Sequence, residues 1–414
     1  MERETLCHPT YENLNEEGYL IVDNVLEPEE LKLVKEAILE DALDLVFSQQ
    51  GFEVDWADPD STRLFFDQKL RTEKLGSKAK RCVWRGGNTL YPLINKTTGM
   101  IHIHFNPVVM ENIIFNPKLY EISKEVNGTP HLAYITGPER VSIKSKGSSI
   151  MPQHIDSNPF HPEVNYPFRI QSFVVLDINT DPKYKLQHSG TLAILPYFHH
   201  YWDFAGRLFH PTKGFSDCKF PEDKSRFFRL PKGRKSFDKY YLPELKKYAS
   251  WYADFLEGRS EKPEGFGLGW EKVRSLFQKI SEEGITVPSN SKGYLKKMVW
   301  KPLPLEPGSM VFWHQHLPHR SLANKSDTPR VVAYYNLFPV DKDWWGTEEQ
   351  KWVARQFKRC EFYYGTDWGN YPTNIVNIEE HLRLVEQGRV EEVASLSTSS
   401  PFRRKISGQE DYFT

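Results

Sequence analysis

Residues 309–340 read SMVFWHQHLPHRSLANKSDTPRVVAYYNLFPV, and this stretch decides the fold. It follows the turn pair Pro307-Gly308 and opens with an apolar run, which predicts a strand over residues 309–313. The polar run NKSDTP at 324–329 predicts a turn, and the aliphatic and aromatic residues after Arg330 predict another strand. His319 and Arg330 are therefore expected on adjacent strands of a hairpin-like pair.

Working outward, similar runs rich in Val, Ile and aromatic residues predict further strands at 132–141, 168–178 and 190–198. The strands fall into two blocks, so we expect a mainly β fold with helical decoration. Pro28 and the acidic residues beside it predict a helix start there. Another helix is predicted over 106–126, with an interruption near Asn116-Pro117. We expect one domain over 1–394, followed by a polar, Ser-rich and disordered tail at 395–414. The domain would consist of a helical N-terminal part (1–131), core strands (132–200 and 295–340), an insertion (201–294) and C-terminal helices (341–394).

Composition narrows the class of protein. Hydrophobic residues make up 39% and charged residues 26% of the 414 residues, a balance typical of globular chains. The net charge of −1 provides no overall field that would attract nucleic acid or anionic membranes. The four cysteines are far apart, which argues against a disulfide framework or a zinc cluster. The first 20 residues have no apolar core of a secretory signal, so we expect an intracellular, cytoplasmic protein without a membrane partner.

The candidate metal ligands are His154, Asp156 and His319. In a strand, residues i and i+2 lie on the same face, so His154 and Asp156 could reach one metal ion. This pair is a weak signal by itself, but two histidines and one carboxylate form the facial triad of non-heme iron(II) oxygenases. His314 and His316 compete with His319 for the distal position, although both can equally be structural histidines.

Arg330 favours His319 as the distal ligand. A cosubstrate such as 2-oxoglutarate chelates a metal at one end and leaves its far carboxylate several ångströms away. The rigid guanidinium fork of arginine matches carboxylate geometry. Because one turn separates His319 from Arg330, the two side chains can serve the same bound molecule.

Four segments, taken in order, resemble the phytanoyl-CoA dioxygenase-like (PhyH) family of Fe(II)/2-oxoglutarate-dependent oxygenases. They are EEGYLIVDNVLEPEEL (16–31), QHIDSNP (153–159), SGTLAILPYFHH (189–200) and HRSLANKSDTPR (319–330). The last is similar to the family signature HxSxxNxSxxpR. Tyr197 and Phe198 depart from the family's PGSH turn, and the insertion lengthens the chain between the ligands, so no member's substrate can be carried over.

The resemblance implies a double-stranded β-helix, which is a jelly-roll, cupin-like barrel. It also implies an oxidoreductase, a dioxygenase that uses Fe(II), 2-oxoglutarate and O2. Such an enzyme hydroxylates or otherwise oxidises a C–H bond of a small molecule and releases succinate and CO2. By the same match, Ser321 would help Arg330 to hold the far carboxylate of 2-oxoglutarate.

The insertion leaves the substrate open. Its stretch 224–241 mixes basic and aromatic residues, which can form a solvated surface, clamp an anionic small molecule or bind single-stranded nucleic acid. We expect a small-molecule substrate, for which an anionic group is one reading of this stretch, with nucleic acid the least favoured reading. The alternatives are a hydroxylase of protein or nucleic acid and a non-catalytic barrel that binds a ligand.

Overall fold

The computed structural model describes residues 14, 17–47, 83–86, 89–92, 100–101, 105–134, 141–144, 146, 148, 150–151, 154–155, 170–194, 199, 228–229, 300–360 and 384–414. Its strands are β1 (Tyr19–Val22), β2 (Val83–Gly86), β3 (Thr89–Pro92), β4 (Met100–Ile101), β5 (Leu132–Tyr134), β6 (Val141–Lys144), β7 (His154–Ile155), β8 (Ile170–Asp177), β9 (Leu192–Ile194), β10 (Phe228–Arg229), β11 (Lys301–Pro302), β12 (Met310–His314), β13 (His319–Ser321), β14 (Arg330–Tyr334) and β15 (Leu337–Pro339). The helices are α1 (Pro28–Phe47), α2 (Pro107–Val109, continued by a π-helical turn at Met110–Ile114), α3 (Pro117–Asn127), α4 (Glu348–Arg359), α5 (Arg389–Thr398) and α6 (Pro401–Ile406), with a 3-10 turn at Leu186–His188.

Most strands belong to two antiparallel sheets. The larger sheet has six strands in the order β1-β12-β8-β14-β6-β4, and the smaller has five in the order β10-β7-β13-β9-β11. Two hairpin-sized sheets, β15-β5 and β2-β3, complete the set among the described residues. The prediction of a mainly β fold with helices is confirmed, although the described strands do not close into one hydrogen-bonded barrel.

The larger sheet is buried on both faces. Because side chains alternate along a strand, one face carries apolar residues that join the main hydrophobic core with α1, α2, α3 and α4. The sheet members of that core include Val141, Ile143, Val174, Leu176, Met310, Phe312, Val331 and Ala333. Burying each of these side chains other than that of Ala333 contributes about 1.5–3 kcal/mol, so this face holds the sheet against the helices. The opposite face is then available for polar residues between the sheets.

Local sequence explains the helix ends. Pro28 begins α1, and Glu29 and Glu30 occupy its first turn, as predicted. The predicted interruption at Asn116-Pro117 is also confirmed: the Asn116 side chain accepts hydrogen bonds from the backbone N–H groups of Lys118 and Leu119 and caps α3. None of the helices in the described part of the chain has both the length and the apolarity that crossing a membrane requires.

The predicted disordered tail is wrong. Helices α5 and α6 extend through 389–398 and 401–406, and Ile406 is fully buried. The serines that suggested disorder form local contacts instead, since Ser400 Oγ accepts a hydrogen bond from Arg403 N at 3.2 Å and caps α6. Tyr412 then donates to the carbonyl of Leu132 at 2.5 Å. The predicted insertion lies outside the described residues except for Phe228 and Arg229, and the division into one domain stays a prediction.

Candidate active site

The candidate site lies between the larger and the smaller sheet. Two contacts bring facing strands together there. The ring of Trp313 in β12 lies 5.4 Å from the ring of His319 in β13. Lys144 Nζ in β6 donates a hydrogen bond to Ser321 Oγ in β13 at 3.0 Å. The inner face of the larger sheet therefore looks onto the face of the smaller sheet that carries His319 and Ser321.

His319 is buried, with 5% of its surface exposed. Its Nδ1 lies 3.0 Å from the carbonyl of Leu317, which accepts a hydrogen bond from Nδ1–H in the matching tautomer. In this tautomer Nε2 carries the lone pair that a metal ion would use. The contact with Leu317 therefore fixes the orientation of the His319 ring and determines which ring nitrogen carries the proton. Both effects prepare His319 for a ligand role.

His154 lies directly across from His319 in the antiparallel pair of β7 and β13. Opposite residues of such a pair share a face and have Cβ atoms about 4.5–5.5 Å apart, so the backbone brings the two predicted ligands together. The side chain of His154, and Asp156 entirely, lie outside the described residues. Within the described part of the chain, no three His, Cys, Asp or Glu side chains converge to hold a metal, and iron binding stays a prediction.

The two competing histidines occupy a different place. His314 ends β12 one residue after Trp313, so alternation puts it on the other face of the strand. Its ring lies 4.7 Å from that of His316 and 5.2 Å from that of His199. The backbone N–H of His316 also donates to Nδ1 of His314 at 3.2 Å. These contacts favour the structural reading of His314 and leave His319 as the candidate ligand.

Arg330 is buried at the start of β14, with 1% of its surface exposed. Its Nη1 donates to the carbonyl of Gly190 at 3.1 Å, and its Nη2 donates to Ser142 Oγ at 2.5 Å. Burial lowers the pKa of Arg330 to about 10, which still leaves it charged at neutral pH. The remaining Nε has no hydrogen-bond partner among the described residues. A buried donor without a partner costs about 1–3 kcal/mol, so this position favours an acceptor supplied by a ligand.

Lys144 is a second buried cation, directly opposite Arg330 in the pair of β6 and β14. Its Nζ approaches Ser321 from the larger sheet. Burial, together with the nearby charge of Arg330, holds the pKa of Lys144 well below its ordinary value. The ammonium group of Lys144 thus meets the hydroxyl of Ser321 at a buried position two residues along β13 from His319, and Arg330 lies across the strand pair from Lys144. This arrangement suits a carboxylate.

Asn324 lies in the turn between β13 and β14 and ties that turn to the end of β6. Its side-chain amide donates to the carbonyls of Lys144 at 2.7 Å and Thr328 at 2.8 Å. Its Oδ1 accepts from the backbone N–H of Ser326 at 2.9 Å and from Ser326 Oγ at 2.6 Å. Gly190 (φ +78°) packs against this turn, and a Cβ there would lie 3.1 Å from Asn324 Cβ. The fully buried Asn324 therefore fixes the end of β6 relative to the start of β14.

A comparison with protein families matches the same part of the chain. Residues 273–332 match the model of the phytanoyl-CoA dioxygenase (PhyH) family, and the match includes His319, Ser321 and Arg330. This segment is phytanoyl-CoA dioxygenase-like. At the level of the family, the match supports an iron- and 2-oxoglutarate-dependent oxygenase. No curated protein matches the chain at a significant level.

Several solved structures resemble the chain distantly. EctD from S. alaskensis, solved with 2-oxoglutarate and 5-hydroxyectoine, is 12% identical over 80% of this chain and 75% of its own, with a TM-score of 0.36. The epimerase SnoN, solved with Fe3+, alpha ketoglutarate and nogalamycin RO, is 13% identical over 80% and 82%, with a TM-score of 0.32. GIG2 from Candida albicans is 13% identical over 97% and 76%, with a TM-score of 0.45. These likenesses are too distant to assign a function.

The resemblance was based on four segments, and the matched residues 273–332 contain only the last of them, 319–330. For the other three segments the resemblance stays a prediction. Sequence reasoning identified His319, Ser321 and Arg330 in the matched segment. It missed Lys144, which lies outside that segment. The available signal was the lysine at the end of VSIK, where apolar and polar residues alternate, because lysine is rarely buried without a reason.

Proposed function

We propose that the chain is an Fe(II)- and 2-oxoglutarate-dependent dioxygenase that oxidises a C–H bond of a small molecule and releases succinate and CO2. The observation that carries the proposal is the buried pair of cations, Lys144 and Arg330, of which Lys144 contacts Ser321. A buried anion site two residues along β13 from a buried histidine has the layout that a metal-chelating dicarboxylate requires. The family match over residues 273–332 supports the same reaction class.

In this proposal His154, Asp156 and His319 hold the iron, which supplies the activation of dioxygen when bound. The protein's own side chains position the cosubstrate. Arg330 and Lys144 bind the far carboxylate of 2-oxoglutarate, with Ser321 between them. The ring of Trp313 covers His319 from the larger sheet and limits the access of water.

The facing sheets support the finer assignment of a double-stranded β-helix. Each predicted ligand strand belongs to the smaller sheet, while both cations come from the larger one. In such a jelly roll the space between the sheets holds the active site, and the strands of the two sheets alternate along the chain. The order of β6 to β9 and β11 to β14 follows that alternation.

The test is an anaerobic titration of the purified protein with iron(II) and then 2-oxoglutarate, followed by visible absorption. We expect a weak charge-transfer band that requires both additions and disappears in His319→Ala. His314→Ala is the matched control, because its imidazole lies on the other side of β12, and it should keep the band. Equal loss in both variants would contradict the ligand assignment. A folded wild-type protein that binds neither iron nor 2-oxoglutarate would contradict the proposed function.

A further inference from the structure

Lys301 reaches across from the smaller sheet to the larger one. It lies opposite Ile194, and Ile194 lies opposite His319, so Lys301 and His319 are on the same face of the smaller sheet. Lys301 Nζ donates a hydrogen bond to the hydroxyl of Tyr19 at 2.6 Å and lies 5.1 Å from the centre of the Tyr19 ring. Because Tyr19 belongs to β1 of the larger sheet, the side chain of Lys301 lies in the space between the sheets.

Lys301 is a partly buried cation whose contacts are neutral. They are the hydroxyl and the ring of Tyr19. No carboxylate forms an ion pair with Lys301 in the part of the chain that the structure describes. A charged group that is partly removed from water is usually paired with an opposite charge. An anion beside Lys301 would therefore complete its surroundings.

Trp313 is the neighbour of Tyr19 on the larger sheet. The two residues lie directly opposite each other in the pair of β1 and β12, so their side chains are adjacent on the face that also contacts His319. Trp313 is 2% exposed, and its Nε1 has no hydrogen-bond partner among the described residues. A buried donor without an acceptor destabilises a protein, so this position favours an acceptor that a ligand supplies.

These two groups are separate from the proposed cosubstrate site. Ser321, which accepts from Lys144, lies two residues along β13 from His319, a distance of about 7 Å. Lys301 is level with His319 but two strands away across the sheet, which is about 10 Å. The backbone positions of Lys301 and Ser321 are thus about 12 Å apart. An anion beside Lys301 would therefore not be the far carboxylate of 2-oxoglutarate.

An oxyanion suits both groups at once. Carboxylate and phosphate oxygens accept charge-assisted hydrogen bonds from an ammonium group and can accept a further bond from an indole N–H, which only donates. A neutral acceptor would satisfy Trp313 and leave the charge of Lys301 without a partner.

We propose that Lys301 and the indole N–H of Trp313 bind an acidic group of the substrate, a carboxylate or a phosphate, on the side of the site next to β1. This inference rests on the proposed function and gives it a substrate class. The competing explanation is that Lys301 only ties the two sheets together and that a water molecule accepts from Trp313. The two explanations differ in whether an anion changes the surroundings of the indole.

The experiment follows the indole N–H resonances of protein labelled with 15N-tryptophan. Zn(II) replaces iron, because paramagnetic iron(II) would broaden nearby resonances, and saturating 2-oxoglutarate fills the cosubstrate site. The chain has 11 tryptophans, and Trp313→Phe identifies the resonance of Trp313. Acetate, inorganic phosphate and neutral acetamide are the probes. We expect acetate or phosphate to move the Trp313 proton resonance downfield until it saturates, and the probe that binds more tightly identifies the acidic group.

Lys301→Met should weaken this anion binding roughly 10-fold or more, because a charge-assisted hydrogen bond is lost. Lys301→Arg keeps the charge and should keep the response, which separates the loss of charge from a loss of folding. Lys325→Met is the matched control, because Lys325 is exposed and contacts His188 at the surface, and it should respond like the wild type.

Equal anion binding in the wild type and Lys301→Met would overturn the inference, as would acetamide that binds as tightly as either anion. A response that disappears at saturating 2-oxoglutarate would place the anion in the cosubstrate site and would also overturn it. If metal and 2-oxoglutarate bind but no anion moves the Trp313 resonance, the inference fails alone. If the protein binds neither metal nor 2-oxoglutarate, the proposed function fails, and the substrate role of Lys301 fails with it.

Discussion

Replacing Lys144 with methionine should separate the stability of the protein from its affinity for 2-oxoglutarate. Methionine has a similar length and no charge. In the ligand-free protein the change removes a buried cation that lies opposite Arg330, and it also removes the hydrogen bond to Ser321. Losing that bond costs about 1–3 kcal/mol, whereas relieving the desolvation of a buried charge gains several kcal/mol. We expect the free energy of unfolding to rise by about 1–3 kcal/mol.

The same change should weaken 2-oxoglutarate binding. A charge-assisted hydrogen bond to the far carboxylate contributes about 1.5–3 kcal/mol, so the dissociation constant should rise by roughly 10- to 150-fold. Urea unfolding and an anaerobic titration of the iron-loaded protein measure the two quantities. Lys146→Met is the matched control, because Lys146 is 53% exposed and pairs with Asp327 at the surface. A Lys144→Met protein that is less stable and binds 2-oxoglutarate as tightly as the wild type would refute the reasoning.

Three more predictions follow from the structure. Burial and the charge of Arg330 lower the pKa of Lys144, and a bound carboxylate should raise it again. Binding of 2-oxoglutarate should therefore take up a proton, and the affinity should fall as the pH rises above the lowered pKa. Calorimetry in two buffers checks this uptake, and Lys144→Met should lack it. Asn324→Ala loses four buried hydrogen bonds, so urea unfolding should show a loss of about 2–4 kcal/mol, and a loss below 1 kcal/mol would contradict its role. Ile406→Ala should cost about 2–5 kcal/mol in the same assay, whereas the 45%-exposed Phe413→Ala should cost little; equal effects would mean that α6 does not pack as described.

Local signals account for the parts of the fold that sequence reasoning predicted. The start of α1 at Pro28 and the break at Asn116-Pro117 depend on residues within one helical turn. The strand over 170–177 follows from its own β-branched and aromatic residues. The tail was mispredicted because its order comes from distant contacts, such as that of Tyr412 with Leu132, which composition does not reveal.

The site shows the same division between local and long-range information. His319 and Arg330 could be predicted because one turn joins them in the sequence. Lys144 could not, since its importance appears only when β6 pairs with β14 and its side chain reaches Ser321. The choice between His319 and His314 also depended on which face of its strand each histidine occupies. The sequence does not show this, because the residues between β12 and β13 interrupt the alternation of side chains between the two faces.

The two faces of the larger sheet explain why the anion site lies where it does. Its helix-facing side is mainly apolar, so a cation buried there would find few partners. On the inner side, Ser142 and Gly190 already satisfy two donors of Arg330, and Ser321 accepts from Lys144. These neutral acceptors offset part of the desolvation of each cation. In the proposed function an incoming carboxylate adds a negative charge beside both cations, so cosubstrate binding should raise the stability of the protein.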